Sequence, residues 1–184
     1  MPKRVILGII AGGVLLGMAI IGGLFIFGRS PAYYRISDDS LGLAFEMSQD
    51  FERIPPVELQ SRNPAFVYGF RPKQIDDVSC IISQTTRPKS GPVSVEYLVQ
   101  GTFAAIKKNY PDVHADVSKK VLVGGREGAW LELSYQDGSK SVQQLELVLT
   151  TDERTTFAFC TVPAPLLPLY KEKFQHFLGS VRVN

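Results

Sequence analysis

The hydrophobic pattern divides the chain into an N-terminal apolar run and a longer region in which apolar and polar positions alternate. From Val5 to Phe27 there is no charged residue and no proline. At about 1.5 Å per residue, a helix of this run spans about 35 Å, more than a bilayer core of about 30 Å. A cleaved secretory signal has a shorter apolar stretch, of about 7–15 residues. We therefore predict an uncleaved transmembrane helix over residues 5–28, a short tether over 29–40 and one domain over 41–184.

The longer region contains several segments with the two-residue period of β-strands. Leu43, Phe45 and Met47 lie on one face of an extended segment, which indicates a half-buried strand. Asp137-Gly138 is the strongest hairpin signal in the chain, and Gly124-Gly125 is a second turn. The further predicted strands are residues 65–71, 78–86, about 113–123, 126–136, 139–150 and 154–162.

Two segments change to the period of a helix. From Ser94, apolar residues recur at spacings of three and four, with Ser94 as the N-cap and Pro111 as the end. A second amphipathic helix follows the prolines at 163, 165 and 168 and stops at Gly179. The order of elements predicts an α+β domain in which two helices pack on a largely antiparallel sheet.

Three groups of residues carry a resemblance to a known family. They are Gly42–Glu46 at the first strand, then Gly125, Ala129, Leu131 and Tyr135, and finally Tyr170, Phe174, Phe177, Leu178, Ser180 and Val181. Over about residues 33–184 the chain resembles the PsbP-like superfamily, which includes DcrB-like envelope proteins. It departs from the pattern at Ser48-Gln49 and Phe51, where Pro and Trp are expected. The resemblance implies an α/β/α-like sandwich with a non-catalytic binding or assembly role, and implies no particular partner.

The net charge belongs to the N-terminus. The chain has 20 basic and 18 acidic side chains. Lys3 and Arg4 account for the excess of +2, so the remainder is neutral, which argues against nucleic acid as a partner. Basic residues ahead of a span favour the cytoplasm. We therefore expect residues 1–4 to be cytoplasmic and the domain to lie outside the cell membrane, in the periplasm or the extracellular space.

Cys80 and Cys160 both fall within predicted strands. In an oxidising compartment such a pair can form one structural disulfide, and otherwise the two residues are buried thiols that act as small hydrophobic side chains. The sequence leaves both alternatives open.

The pattern Asp112-x-His114-x-Asp116 is the one cluster with the residue types of a metal site. Alternate residues of a strand are about 6.6 Å apart, so the outer two lie about 13 Å apart and can hardly share one ion. The other histidine, His176, falls on the last helix. We expect a solvated strand face here, with neither a metal nor a cofactor.

The sequence offers no nominated catalytic residue, since it lacks G-x-S-x-G, S-x-x-K and C-x-x-C. The leading hypothesis is a membrane-anchored extracytoplasmic protein that binds or helps assemble another envelope component without catalysis of its own. The alternative is a membrane-tethered hydrolase or metal-dependent enzyme with a loop-built site near His114 or His176. A third class is a structural membrane protein that acts through its glycine-rich span.

Overall fold

The computed structural model of the protein describes residues 32–87 and 94–184. In this part of the chain lie ten β-strands, three α-helices and one 3-10 helix, which confirms the α+β class. In chain order they are β1 (Tyr33–Asp38), β2 (Leu43–Ser48), β3 (Phe51–Arg53), α1 (Pro56–Arg62), β4 (Phe66–Pro72), β5 (Ser79–Thr86), α2 (Val95–Lys107), β6 (His114–Val123), β7 (Arg126–Asp137), β8 (Lys140–Thr150), β9 (Arg154–Pro163), the 3-10 helix (Ala164–Leu166), α3 (Leu167–Ser180) and β10 (Arg182–Val183).

The strands form two antiparallel sheets where the sequence predicts one. The larger sheet has seven strands in the order β3-β4-β5-β9-β8-β7-β6, and the smaller has three in the order β1-β2-β10. Strands β6 to β9 form the meander that the turn signals predict. Strand β5 joins this meander at β9, and β10 brings the end of the chain back beside β2.

Two tight turns fix the register of the meander. Gly124 and Gly125 connect β6 to β7 with φ of +59° and +80°, and Gly138 follows β7 with φ of +60°. These values lie in the left-handed region, which glycine adopts without steric cost. Asp137 pairs with Lys140 across the second turn, so the hairpin predicted from Asp137-Gly138 is confirmed.

The main core lies between the inner face of the seven-stranded sheet, the small sheet and α3. Phe45, Phe70 and Phe177 are at most 1% exposed. The ring of Phe45 makes edge contacts with the other two, at centroid distances of 5.8 and 5.7 Å. Leu43 and Met47 are buried beside Phe45, which confirms the alternation predicted for β2.

The outer face of the large sheet is covered by two separate helices. On one side α2 packs Leu98 against Leu131 of β7. On the other side α1 packs Leu59 against Ile81 of β5. Because the two helices lie toward opposite edges of the sheet, part of the outer face of the central strands β5, β9 and β8 stays open between them.

The beginning of the domain differs from the predicted boundary. Residues 33–38 fall within the predicted tether of 29–40, yet they form β1 and pair with β2 from Tyr33 opposite Ser48 to Asp38 opposite Leu43. Tyr34 packs against the main core at the start of this strand. The alternating burial of β1 is the physical reason that this stretch belongs to the fold.

Helix α1 is absent from the sequence prediction. It begins at Pro56, a position where the fixed φ of proline suits a helix and its missing N–H costs nothing. Leu59 is its one buried residue. A seven-residue helix with a single buried side chain presents too little periodicity to be recognised.

None of the helices in residues 32–87 and 94–184 combines the length and apolar content of a membrane span. The transmembrane helix predicted for residues 5–28 lies outside the described residues, as does the start of the tether.

The register of β5 and β9 brings the two cysteines together. Cys80 lies directly opposite Cys160, and their Sγ atoms are in contact. Both side chains are buried in the main core. The strand register thus places the two residues side by side. The disulfide itself stays a prediction, which thiol titration would test.

Candidate functional site

A groove crosses the outer face of the seven-stranded sheet between α1 and α2. Its volume is about 760 Å³, within the range of about 300–1,000 Å³ that is typical of small-ligand sites. Outward-facing residues of β5, β9 and β8 form its floor. The aromatic side chains that line it are Phe66, Tyr97, Tyr110, Tyr135, Phe157 and Phe159.

A chain of polar side chains crosses the floor of the groove. Gln144 and Glu146 alternate along β8 and therefore point to the same face. Tyr135 donates its hydroxyl proton to Gln144 Oε1 over 3.3 Å. Gln144 Nε2 in turn donates to Glu146 Oε2 over 2.8 Å. Each member orients the next, so the Glu146 carboxyl is held at a defined position.

Burial changes the acidity of this carboxyl. Glu146 is 3% exposed. Desolvation raises its pKa from 4.5 to about 7, and the hydrogen bond from Gln144 opposes that rise without cancelling it. Burial also raises the pKa of the Tyr135 hydroxyl, so that group keeps its proton at neutral pH. Near neutral pH the floor of the groove therefore changes between a neutral and an anionic state.

Thr102 of α2 also lines the groove. Its side chain is 8% exposed, and its Oγ1 is a buried polar atom without a hydrogen-bond partner within the described residues. A buried hydroxyl without a partner costs about 1–3 kcal/mol. A bound ligand that supplies a partner would recover part of that cost.

Opposite charges meet at the mouth of the groove. Lys140, at the start of β8, donates to Asp77 Oδ2 over 2.7 Å. Both side chains are more than half exposed, at 57% and 55%. Asp137 is also exposed there. The side chains at the mouth are therefore exposed and carry an acidic excess, whereas Gln144 and Glu146 at the floor are buried.

The structure brings together part of the Asp112–His114–Asp116 pattern, away from the groove. Ser134 Oγ lies 2.7 Å from His114 Nε2 and donates to Asp116 Oδ2 over 2.8 Å. Asp112 accepts from the backbone of Gln136 instead. Because Ser134 donates its hydroxyl proton to Asp116, this proton is not directed at His114 as it would be toward a catalytic base.

His176 lies on α3 in a different setting. Its Nε2 is 2.8 Å from Glu46 Oε2, and its ring stacks on Tyr33 at a centroid distance of 3.6 Å. His176 and Glu46, with Arg35, border a more polar cavity of about 440 Å³. The arrangement ties α3 to the small sheet through a hydrogen bond and a ring contact.

Within the described residues no three His, Cys, Asp or Glu side chains converge on a position for a metal ion.

The polar floor of the groove is missing from the sequence prediction. A strand face with Gln144 and Glu146 reads as solvent-exposed. The feature that indicates their burial is the central position of β8 in the sheet, because its neighbouring strands and α2 cover its polar side.

No protein-family model matches the chain, and no curated protein matches it in sequence. Solved structures do match. The cyanobacterial PsbP (CyanoP) of Synechocystis is similar with a TM-score of 0.68 and 13% identity, over 85% of this chain and 95% of that one.

Two further structures share the arrangement. LpqN of Mycobacterium tuberculosis, a protein involved in cell envelope biogenesis, has a TM-score of 0.57 and 14% identity, over 87% of this chain and 95% of that one. The Saccharomyces cerevisiae Ran-binding protein Mog1p has a TM-score of 0.56 and 10% identity, over 84% and 96%. At these identities the likeness concerns the fold, and the fold is PsbP-like.

Proposed function

We propose that this protein is a binding protein without catalysis of its own, and that the groove between α1 and α2 is its binding site. The observation that carries the proposal is the Glu146 carboxyl at the floor of the groove. Its raised pKa means that keeping it ionised at this position costs folding free energy. Titratable groups that destabilise a fold and border a cavity are concentrated at functional sites.

The comparisons support a binding role. One similar structure is named for binding Ran and another for a part in envelope biogenesis. The geometry supports the absence of catalysis as well, because Ser134 donates to Asp116 rather than to His114. We therefore favour binding over the hydrolase or metal-enzyme alternative at His114 or His176.

Filling the groove from α2 is expected to abolish binding of an apolar dye. A Cβ added at Gly101, which lines the groove, meets no atom within 4 Å. The first atom of a larger side chain is therefore accommodated at this position, and Gly101→Trp adds the bulk of an indole ring to the lining of the groove. We expect N-phenyl-1-naphthylamine to bind the unmodified protein with increased fluorescence, and to bind this variant about tenfold more weakly or worse.

Gly179→Trp is the matched control. Gly179 lies on α3, and a Cβ there also meets no atom within 4 Å. This variant should bind the dye as the unmodified protein does, and thermal unfolding of both variants shows that each is folded. Equal dye binding by both variants, or no binding by the unmodified protein, would contradict the groove as the site.

We further propose that residues 5–28 anchor the domain to the cell membrane, with the domain outside and another envelope component as its partner. The apolar run from Val5 to Phe27 supports this placement. We expect the full chain to stay with membranes after carbonate extraction and its domain to be accessible to protease added outside the cytoplasm. A chain that begins at residue 32 should be released, and release of the full chain would overturn the proposal.

A further inference from the structure

We propose that the groove binds small apolar amines, with the protonated amino group of the ligand on the Glu146 carboxylate and its apolar body among the aromatic side chains. This inference rests on the proposed binding function and adds the chemical class of the ligand.

The charges along the groove favour a cation. Its lining has three acidic residues, Asp77, Asp137 and Glu146, and one basic residue, Lys140. The ammonium of Lys140 is held by Asp77 at the mouth. A ligand carboxylate at the floor would therefore be repelled by the Glu146 carboxylate, because no nearby basic group of the lining compensates the two negative charges. A ligand ammonium would instead neutralise the charge of Glu146.

The hydrogen-bonding atoms of the groove also suit an amino group. An ammonium has three N–H donors and no acceptor. Glu146 receives one hydrogen bond, on Oε2 from Gln144. Among the residues that the structure describes, Thr102 Oγ1 has no hydrogen-bond partner. The groove thus offers a carboxylate and a hydroxyl oxygen as acceptors, while the donor capacity of Tyr135 is already used.

The surroundings of the carboxylate are apolar on both sides. In the register of the sheet, Glu146 lies between Leu131 of β7 and Phe159 of β9. Phe157 lies two residues from Phe159 on the same face of β9 and also lines the groove. Aromatic faces attract cations as well as apolar groups, and a desolvated carboxylate–ammonium hydrogen bond is strong.

Amine binding is expected to depend on pH through Glu146. The other titratable groups facing the groove are Tyr97 and Tyr110 from the α2 side, Tyr135 and Asp137 from β7, Lys140 from β8 and Asp77 before β5. Since the Glu146 pKa is about 7, the carboxyl is mostly protonated at pH 5.5. A protonated amine pairs with Glu146 only after the carboxyl has released its proton to the buffer, because the ligand already carries its own positive charge.

The test compares three probes with the same ten-carbon chain: decylamine, decan-1-ol and decanoate. At pH 8, titration calorimetry should show decylamine binding about tenfold or more tighter than decanol, and decanoate weakest. Decylamine affinity should fall about tenfold or more from pH 8 to pH 5.5, while decanol affinity stays constant. At pH 6.5 the heat should vary with the buffer in proportion to the proton released.

Glu146→Gln should lower decylamine affinity to that of decanol and remove the proton release. Glu46→Gln, at the carboxylate next to His176, makes the same chemical change outside the groove and should change none of these values. If all three probes bind equally to the unmodified protein, or if Glu46→Gln has the same effect as Glu146→Gln, the amine inference is overturned while the binding function stands. If none of the three probes binds, the binding function itself is overturned.

Discussion

Replacing both Cys80 and Cys160 with alanine is expected to lower the free energy of unfolding by about 2–5 kcal/mol. The two residues are separated by 80 positions in sequence and face each other across neighbouring strands. A link between them restricts the unfolded chain strongly, because it closes a long loop. Denaturant unfolding, followed by the fluorescence of the buried Trp130, measures the loss.

The alanine substitutions also remove two buried sulfur atoms, so a second measurement isolates the covalent link. The unmodified protein, unfolded with and without reductant, changes only in the state of its cysteines. We expect a lower denaturant midpoint with reductant and no effect of reductant on the double variant. Two alkylatable thiols in denatured, unreduced protein would show that Cys80 and Cys160 act only as small buried side chains.

Local signals in the sequence predict the elements of this fold well. Ser94 caps α2 by accepting from the backbone N–H of Tyr97, as its position before an amphipathic run implies. Asp137-Gly138 gives the β7–β8 hairpin because few other pairs tolerate the turn. Each of these features depends on residues within one turn or one period of each other, so the linear chain contains the information.

Features that depend on distant segments are harder to predict. The pairing of β5 with β9 and of β10 with β2 joins regions far apart in sequence, which local periodicity does not encode. The groove follows from the same pairings, because it exists where α1 and α2 leave the central strands open. Glu146 reads as a surface residue until its strand is known to be central, and this explains why the alternative hypothesis turns to His114 and His176 instead.

Stability is expected to fall as the pH rises from about 4.5 to 7, because of Glu146. Its pKa is 4.5 as an unperturbed group and about 7 in the fold. Between these values the folded protein keeps a proton that the unfolded chain has lost. The free energy of unfolding therefore decreases with increasing pH, and the penalty is complete above about pH 7. The size of the shift corresponds to about 3 kcal/mol.

Asp38 and Asp50 contribute in the opposite direction and at lower pH. Hydrogen bonds from Ser40 and Tyr68 lower the pKa of Asp38, and the contact with Lys173 lowers that of Asp50. Their stabilising contributions are present above the ordinary pKa of an aspartate and are lost as the pH falls through their lowered values. Measurements between pH 5.5 and 8 therefore isolate the effect of Glu146 from that of these two carboxylates.

Glu146→Gln removes the titrating group and keeps its shape and its hydrogen bond from Gln144. We expect the variant to be more stable than the unmodified protein at pH 8, by up to about 3 kcal/mol, and nearly equal to it at pH 5. Glu127→Gln makes the same change at the exposed carboxylate beside Lys120 and should keep the original slope. The opposite outcome is a Glu146→Gln variant whose free energy of unfolding varies with pH as it does in the unmodified protein. That outcome would mean that water reaches the Glu146 carboxyl, because its raised pKa depends on desolvation.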